Sequence, residues 1–316
     1  MSRPDANRLM VFLLLGVMAV ATGFADLRMR TYPRRAYEEY IPAVVSGYAD
    51  APERYRVLVP YTTAAFGRIT HLPAEDAWDL TRLAWIFAAY VILYAYLHTW
   101  FSAAHALLGA LLVAATLPLT FTNSWAHPDH MAELALFTAG CLAVARGRDG
   151  WFAAILIVSS LNRETTAFLV LLYAVAAPRR PHVWIKAAGF GAIWFAIYAG
   201  LRFARGFVAY DVWQWHRNLS FFRLLPAPYD PYYRAYAYFF LVLFVPMLLL
   251  GLRGVRTKPF FVRRALLVVP VFVAVCLTMS SVIETRIFTP LYGLMLPSLM
   301  FSIVPADRAA VDLAQG

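Results

Sequence analysis

Two short stretches set charges inside apolar surroundings, and both pair a carboxylate with a guanidinium. "NRET" (162–165) carries Arg163 and Glu164, and "IETR" (283–286) carries Glu284 and Arg286. Ionisable groups at membrane depth are expensive, and by default they face a cavity or one another. An arginine there suits a phosphate, because its planar fork binds oxyanions bidentately. Glu164 and Glu284 are candidates for holding those arginines or the helix breaks in place. A pair kept for stability alone is a poor use of two buried charges.

Three further stretches carry related chemistry. "ERYRVLVP" (53–60) places Arg54 and Arg56 ahead of an apolar run, where they fit a phosphate or snorkel to the interface. "HPDHMAEL" (127–134) sets His127, Asp129 and His130 before an apolar run, and Asp129 and Glu133 share a helical face. That set suits binding a divalent cation, ligating a diphosphate through one, or supplying a second acid, and Asp129 also suits a helix cap. A divalent cation is one candidate ligand, although His-x-Asp-His is not a metal signature. In "WQWHR" (213–217), Trp215 and His216 suit stacking on a saccharide, or an interfacial aromatic belt.

For a general base, Glu38 and Glu39 in "RAYEEYIPAVVSGYA" (35–49) are the first candidates, with Asp26 and Asp50 as rivals. A carboxylate beside apolar lipid gains proton affinity, which suits taking a proton from a hydroxyl. Acids early in a helix also simply complement its dipole.

The elements that must position these groups are membrane helices. The chain has 316 residues, 61% hydrophobic and 15% charged, with mean hydropathy +0.61. A soluble domain needs far more polar surface. Apolar runs fall near 9–25, 82–101, 103–121, 131–145, 151–162, 164–177, 184–202, 235–252, 265–282 and 287–304, giving about ten segments of an all-α polytopic membrane bundle in one domain, 1–316. The fifth and sixth are short and read as half-length helices meeting at "NRET". The N-terminal run reads as a signal-anchor and first span. Tyr37, Tyr40, Ile41, Val44 and Tyr48 recur at three and four residues, an interfacial amphipathic helix in the first loop, 26–81.

The net charge of +10 collects in "RGRDG" (146–150), "PRRPHVWIK" (178–186) and "RGVRTKPFFVRR" (253–264). Short basic loops stay cytoplasmic, so both termini are expected inside, and no nucleic-acid motif accompanies the charge. Alternate counting then brings the loop 26–81, "NSWAHPDH", "NRET", 203–234 and "IETR" to one extracytoplasmic side. Cys141 and Cys276 lie within apolar runs and read as packing residues.

Four motifs, "AYEEYIPAVVSGYA", "RYRVLVP", "LNRETTAF" and "IETRIFTPLYGLMLP", resemble those of bacterial multi-span members of the GT-C superfamily of integral membrane glycosyltransferases. The resemblance implies a helical bundle in the bacterial inner membrane and a sugar donor on a polyprenyl phosphate or diphosphate. It also implies inverting transfer to an extracytoplasmic acceptor and a first-loop acid as base. That acid is usually Asp, where this chain offers Glu38 and Glu39. The chain lacks a soluble C-terminal domain, so an acceptor-binding partner subunit in the membrane would have to supply that part. A transporter and a non-catalytic membrane subunit of cell-envelope assembly are the competing expectations. The first fits broken helices with charges at depth.

Overall fold

The computed structural model describes residues 3–29, 35–121, 129–177, 182–224 and 231–305. Within them the chain forms fourteen α-helices and no strand. In order these are α1 (Arg3–Met29), α2 (Arg35–Ser46), α3 (Leu58–Thr70), α4 (Ala74–Leu97), α5 (Ala103–Thr116), α6 (Asp129–Ala145) and α7 (Asp149–Ser160). There follow α8 (Ala167–Ala176), α9 (Val183–Arg205), α10 (Trp215–Phe221), α11 (Pro231–Leu252), α12 (Phe260–Ala265), α13 (Val268–Met279) and α14 (Pro290–Ile303).

Five stretches are long and apolar enough to cross a membrane: Asn7–Met29, Ala74–Leu97, Ala103–Thr120, Val183–Arg205 and Phe260–Met279. The other expected segments are also helical: α6, α7, α8 and α14 are shorter, and the apolar part of α11 is the shorter stretch Tyr236–Leu252. α7 has 12 residues and α8 has 10, about 18 and 15 Å at 1.5 Å per residue. Neither alone matches a hydrocarbon core of about 30 Å.

Helix α6 is the axis of the bundle, with nearly every side chain from Asp129 to Val144 buried. α4, α7, α8 and α14 pack around it. Gly140 leaves room for Leu169 of α8, since a Cβ there would lie 2.7 Å from Leu169 Cδ1. α14 is likewise buried from Pro290 to Met300. Outer helices turn large apolar side chains outward, among them Leu13 and Val17 on α1 and Ile185 and Phe203 on α9. In lipid such a face needs no polar cover.

Two breaks interrupt this packing. After α7 the chain runs extended at Arg163, turns once over Glu164–Thr166 and re-enters as α8. The freed groups are held locally: Leu58 N–H donates to Leu161 O at 3.0 Å, and the Ser159 and Thr166 hydroxyls bond at 2.8 Å. The second break follows α13, where a single turn over Thr285–Phe288 leads into α14. Asn218 of α10 bridges it, donating Nδ2 to Leu277 O (2.6 Å) and Ser280 O (2.7 Å) and accepting from Val282 N–H (2.8 Å). At both breaks backbone groups freed from the helices thus find partners elsewhere in the fold.

Candidate functional site

The two breaks meet the first loop at one end of the bundle. α6 presents Asp129 and Glu133 one turn apart. Arg163 lies across both, with Nε 2.6 Å from Asp129 Oδ2 and Nη1 2.5 Å from Glu133 Oε2. Thr165 Oγ donates to the other Glu133 oxygen, and Asn162 Nδ2 donates to Asp129 O at 2.9 Å. All four groups of this inner layer other than Thr165 are buried. The expected face shared by Asp129 and Glu133 is therefore filled by "NRET" itself.

A looser layer surrounds Arg56, which follows the single turn Glu53–Tyr55. Its nearest carboxylate oxygens are Asp129 Oδ2 at 3.4 Å, Glu164 Oε2 at 3.6 Å and Glu53 Oε1 at 3.8 Å. These are ion pairs beyond good hydrogen-bond length. Glu164 is shared with Arg202 Nη2 at 3.4 Å, and Arg202 lies 3.5 Å over the Tyr198 ring and 4.3 Å over Tyr55. Arg286, buried, donates to Glu284 Oε2 at 2.7 Å.

Beside this cluster lies a cavity of about 500 Å³. Glu53, Arg56, Arg163, Glu164 and Glu284 line its polar end. Phe168 of α8 with Val275, Met279 and Ile287 forms an apolar wall. Trp194 and Tyr198, one turn apart on α9 and stacked at 5.1 Å, form an aromatic flank with Tyr210. Such a size and mixed lining suit an amphipathic small ligand.

Glu53, in the loop ahead of α3, is an acid with a raised proton affinity. Burial raises its carboxyl above the usual range; Arg56 and a backbone hydrogen bond act to lower it, while Asp129 and Glu284 raise it further. Burial opposes the Arg56 cation, but with Glu164, Asp129 and Glu53 around it the guanidinium is held above its ordinary value.

The other expected site residues are placed as follows. Glu38 and Glu39 are exposed at the start of α2 and do not line the cavity. Arg54 braces backbone, donating to Ala49 O at 3.0 Å and Arg205 O at 3.3 Å. His130 is buried in α6 with its ring edge-on to Phe121. Trp215 and His216 are exposed outside the cavity lining, while their neighbours Gln214 and Arg217 line it. His127 lies outside the described residues, among which no cluster of His, Cys, Asp and Glu suits a metal ion.

Sequence reasoning missed Glu53, Trp194, Tyr198, Tyr210 and the bridging Asn218. Trp194 and Tyr198 had a signal, aromatics at i and i+4 beside the positively charged end of α9. Glu53 had only its place beside Arg54. No protein-family model matches this chain, and no curated protein matches it.

Proposed function

We propose that the chain is a multi-span membrane glycosyltransferase of GT-C type, moving a sugar from a polyprenyl-phosphate donor to an acceptor hydroxyl. The observation that carries this reading is the composition of one cavity. It joins a raised-affinity carboxylate, a loosely paired arginine, an aromatic flank and an apolar wall. In this reading the sugar rests against Trp194 and Tyr198, the isoprenoid leaves along Phe168, Val275 and Met279, and the phosphate meets Arg56.

Glu53 replaces Glu38 and Glu39 as the base in this reading. Its carboxylate takes the acceptor proton as the acceptor oxygen bonds to the anomeric carbon. The bond from that carbon to the phosphate oxygen breaks, and the polyprenyl phosphate departs with the electron pair. Arg56 fits the growing phosphate charge because its carboxylate contacts, at 3.4–3.8 Å, leave room for a shorter one. Arg163 serves differently, as a clamp between two carboxylates that fixes the wall.

The test is release of polyprenyl phosphate from a panel of polyprenyl-phosphate sugars by purified protein in lipid. Expected is release that depends on acceptor, is lost in Glu53→Gln and falls sharply in Arg56→Gln. No turnover with donor binding retained would leave a non-catalytic lipid-binding subunit. Movement of intact donor across the bilayer would leave a transporter.

A further inference from the structure

A second cavity, of about 440 Å³, opens at the other end of α6. From Asp129 to Ala145 the helix has 17 residues, about 25 Å at 1.5 Å per residue. That length is close to the thickness of a hydrocarbon core, so the two ends of the helix suit opposite faces of a bilayer. The floor of the second is apolar, with Ile92 of α4, Leu142 of α6 and Ile155 of α7. Its rim carries Arg146, Arg148 and Trp151.

Among the described residues no carboxylate forms an ion pair with Arg146 or Arg148. The neighbouring acid, Asp149, accepts from Lys186 Nζ at 2.7 Å and from Tyr173 Oη at 3.0 Å. Arg146 and Arg148 are exposed, and Arg146 donates to Ala95 O in the last turn of α4 at 3.3 Å. Trp151 is 70% exposed, as an interfacial anchor is. Two cations and an indole thus stand over a greasy floor at one depth.

We propose that this groove binds one anionic phospholipid of the surrounding leaflet, its phosphate between Arg146 and Arg148 and an acyl chain along Ile92, Leu142 and Ile155. The charge fits an anionic headgroup, and the floor fits a chain that a free phosphate lacks. The inference stands apart from the transferase reading, since none of these residues touches the first cavity.

The experiment uses delipidated full-length protein in a neutral detergent. Thermal stability and native mass spectrometry are followed while phosphatidylglycerol, phosphatidylcholine or glycerol phosphate is added. Expected is one retained phosphatidylglycerol with a rise in melting temperature, and no such effect from the other two. Near an anionic surface each arginine contributes about five-fold in affinity, so Arg146→Gln with Arg148→Gln should weaken binding roughly thirty-fold. Ala139→Phe fills the groove with both arginines in place and should also abolish the effect, which serves if the double variant does not fold. Equal stabilisation by phosphatidylcholine, stabilisation by glycerol phosphate, or an undiminished response in the variants would overturn the proposal.

Discussion

Arg163 Nε lies 2.6 Å from Asp129 Oδ2, and the same guanidinium closes on Glu133 one turn along α6. The relationship ties the break between α7 and α8 to the central helix of the bundle. It also explains why an apolar run tolerates "NRET": the charge is spent inside the protein rather than exposed to lipid. Arg56, by contrast, keeps its carboxylates at 3.4–3.8 Å and borders the cavity. Two arginines expected to play one part therefore play two.

The inner clamp should behave as a buried ion pair. Removing one partner leaves the other charge uncompensated, which costs about 3–5 kcal/mol. Arg163→Gln and Asp129→Asn are each expected to lower the melting temperature of the purified protein steeply. The double variant should recover part of the Arg163→Gln loss, because it leaves one buried carboxylate, Glu133, without Arg163 instead of two. Additive losses in the double variant would show that the two groups act apart.

Glu53→Gln should do the opposite to stability. Burial and the Asp129 and Glu284 carboxylates raise the Glu53 carboxyl in the folded chain above its unfolded value. A group raised in this way favours the fold while protonated, and that contribution is lost as pH rises from the unfolded value through the folded one. Above the folded value the ionised carboxylate is therefore a burden that an amide lacks. The variant should melt no lower than wild type, with transfer abolished. As a base, Glu53 works ionised, so the acidic limb of the wild-type rate profile should lie above the ordinary glutamate range near 4.3. Glu284→Gln removes one raising charge and should move that limb to lower pH; an unmoved limb would separate Glu53 from the rate.

Much of this arrangement was legible in the sequence because it follows from strong rules. Each expected apolar run is helical, "NRET" does split two short helices, and Arg56, Asp129, Arg163, Glu164, Glu284 and Arg286 do assemble at one end. What stayed hidden depends on tertiary approach. Glu38 and Glu39 look like the acids of an amphipathic helix, and only the packing of α2 shows them exposed while Glu53, on a three-residue turn, borders the cavity. The number of spans was hidden too, since α7, α8 and α14 are apolar enough for lipid but only 10–14 residues long.

Lys258 offers a test at the far side of the fold. Its ammonium, buried beyond the end of α11, donates to Gly251 O and Ser298 O at 2.6 Å each and approaches the hydroxyls of Ser298 at 3.0 Å and Ser302 at 2.9 Å. It thus joins the last turn of α11 to α14. Lys258→Met keeps the stem and removes every donor, and hydrogen bonds to a charged group contribute about 1.5–3 kcal/mol. A clear fall in melting temperature is expected. Lys258→Arg should not restore it, because a planar fork cannot reach acceptors arranged around a single nitrogen.

Asn218 should link stability to the cavity. It satisfies Leu277 O, Ser280 O and Val282 N–H, three groups that the end of α13 leaves without helical partners. The chain between them, Ser280 and Ser281, lines the cavity beside Glu284. Asn218→Ala leaves buried backbone groups unmade at about 1–3 kcal/mol, and the segment can regain them only by moving. Expected is a lower melting temperature together with faster cysteine alkylation at Cys276, which is buried on the cavity wall. Asn218→Asp keeps the acceptor for Val282 N–H while turning an oxygen toward both carbonyls, so it should be the more damaging change. If alkylation of Cys276 stayed as slow as in wild type while the protein melted earlier, the bridge would stabilise α13 without shaping the cavity.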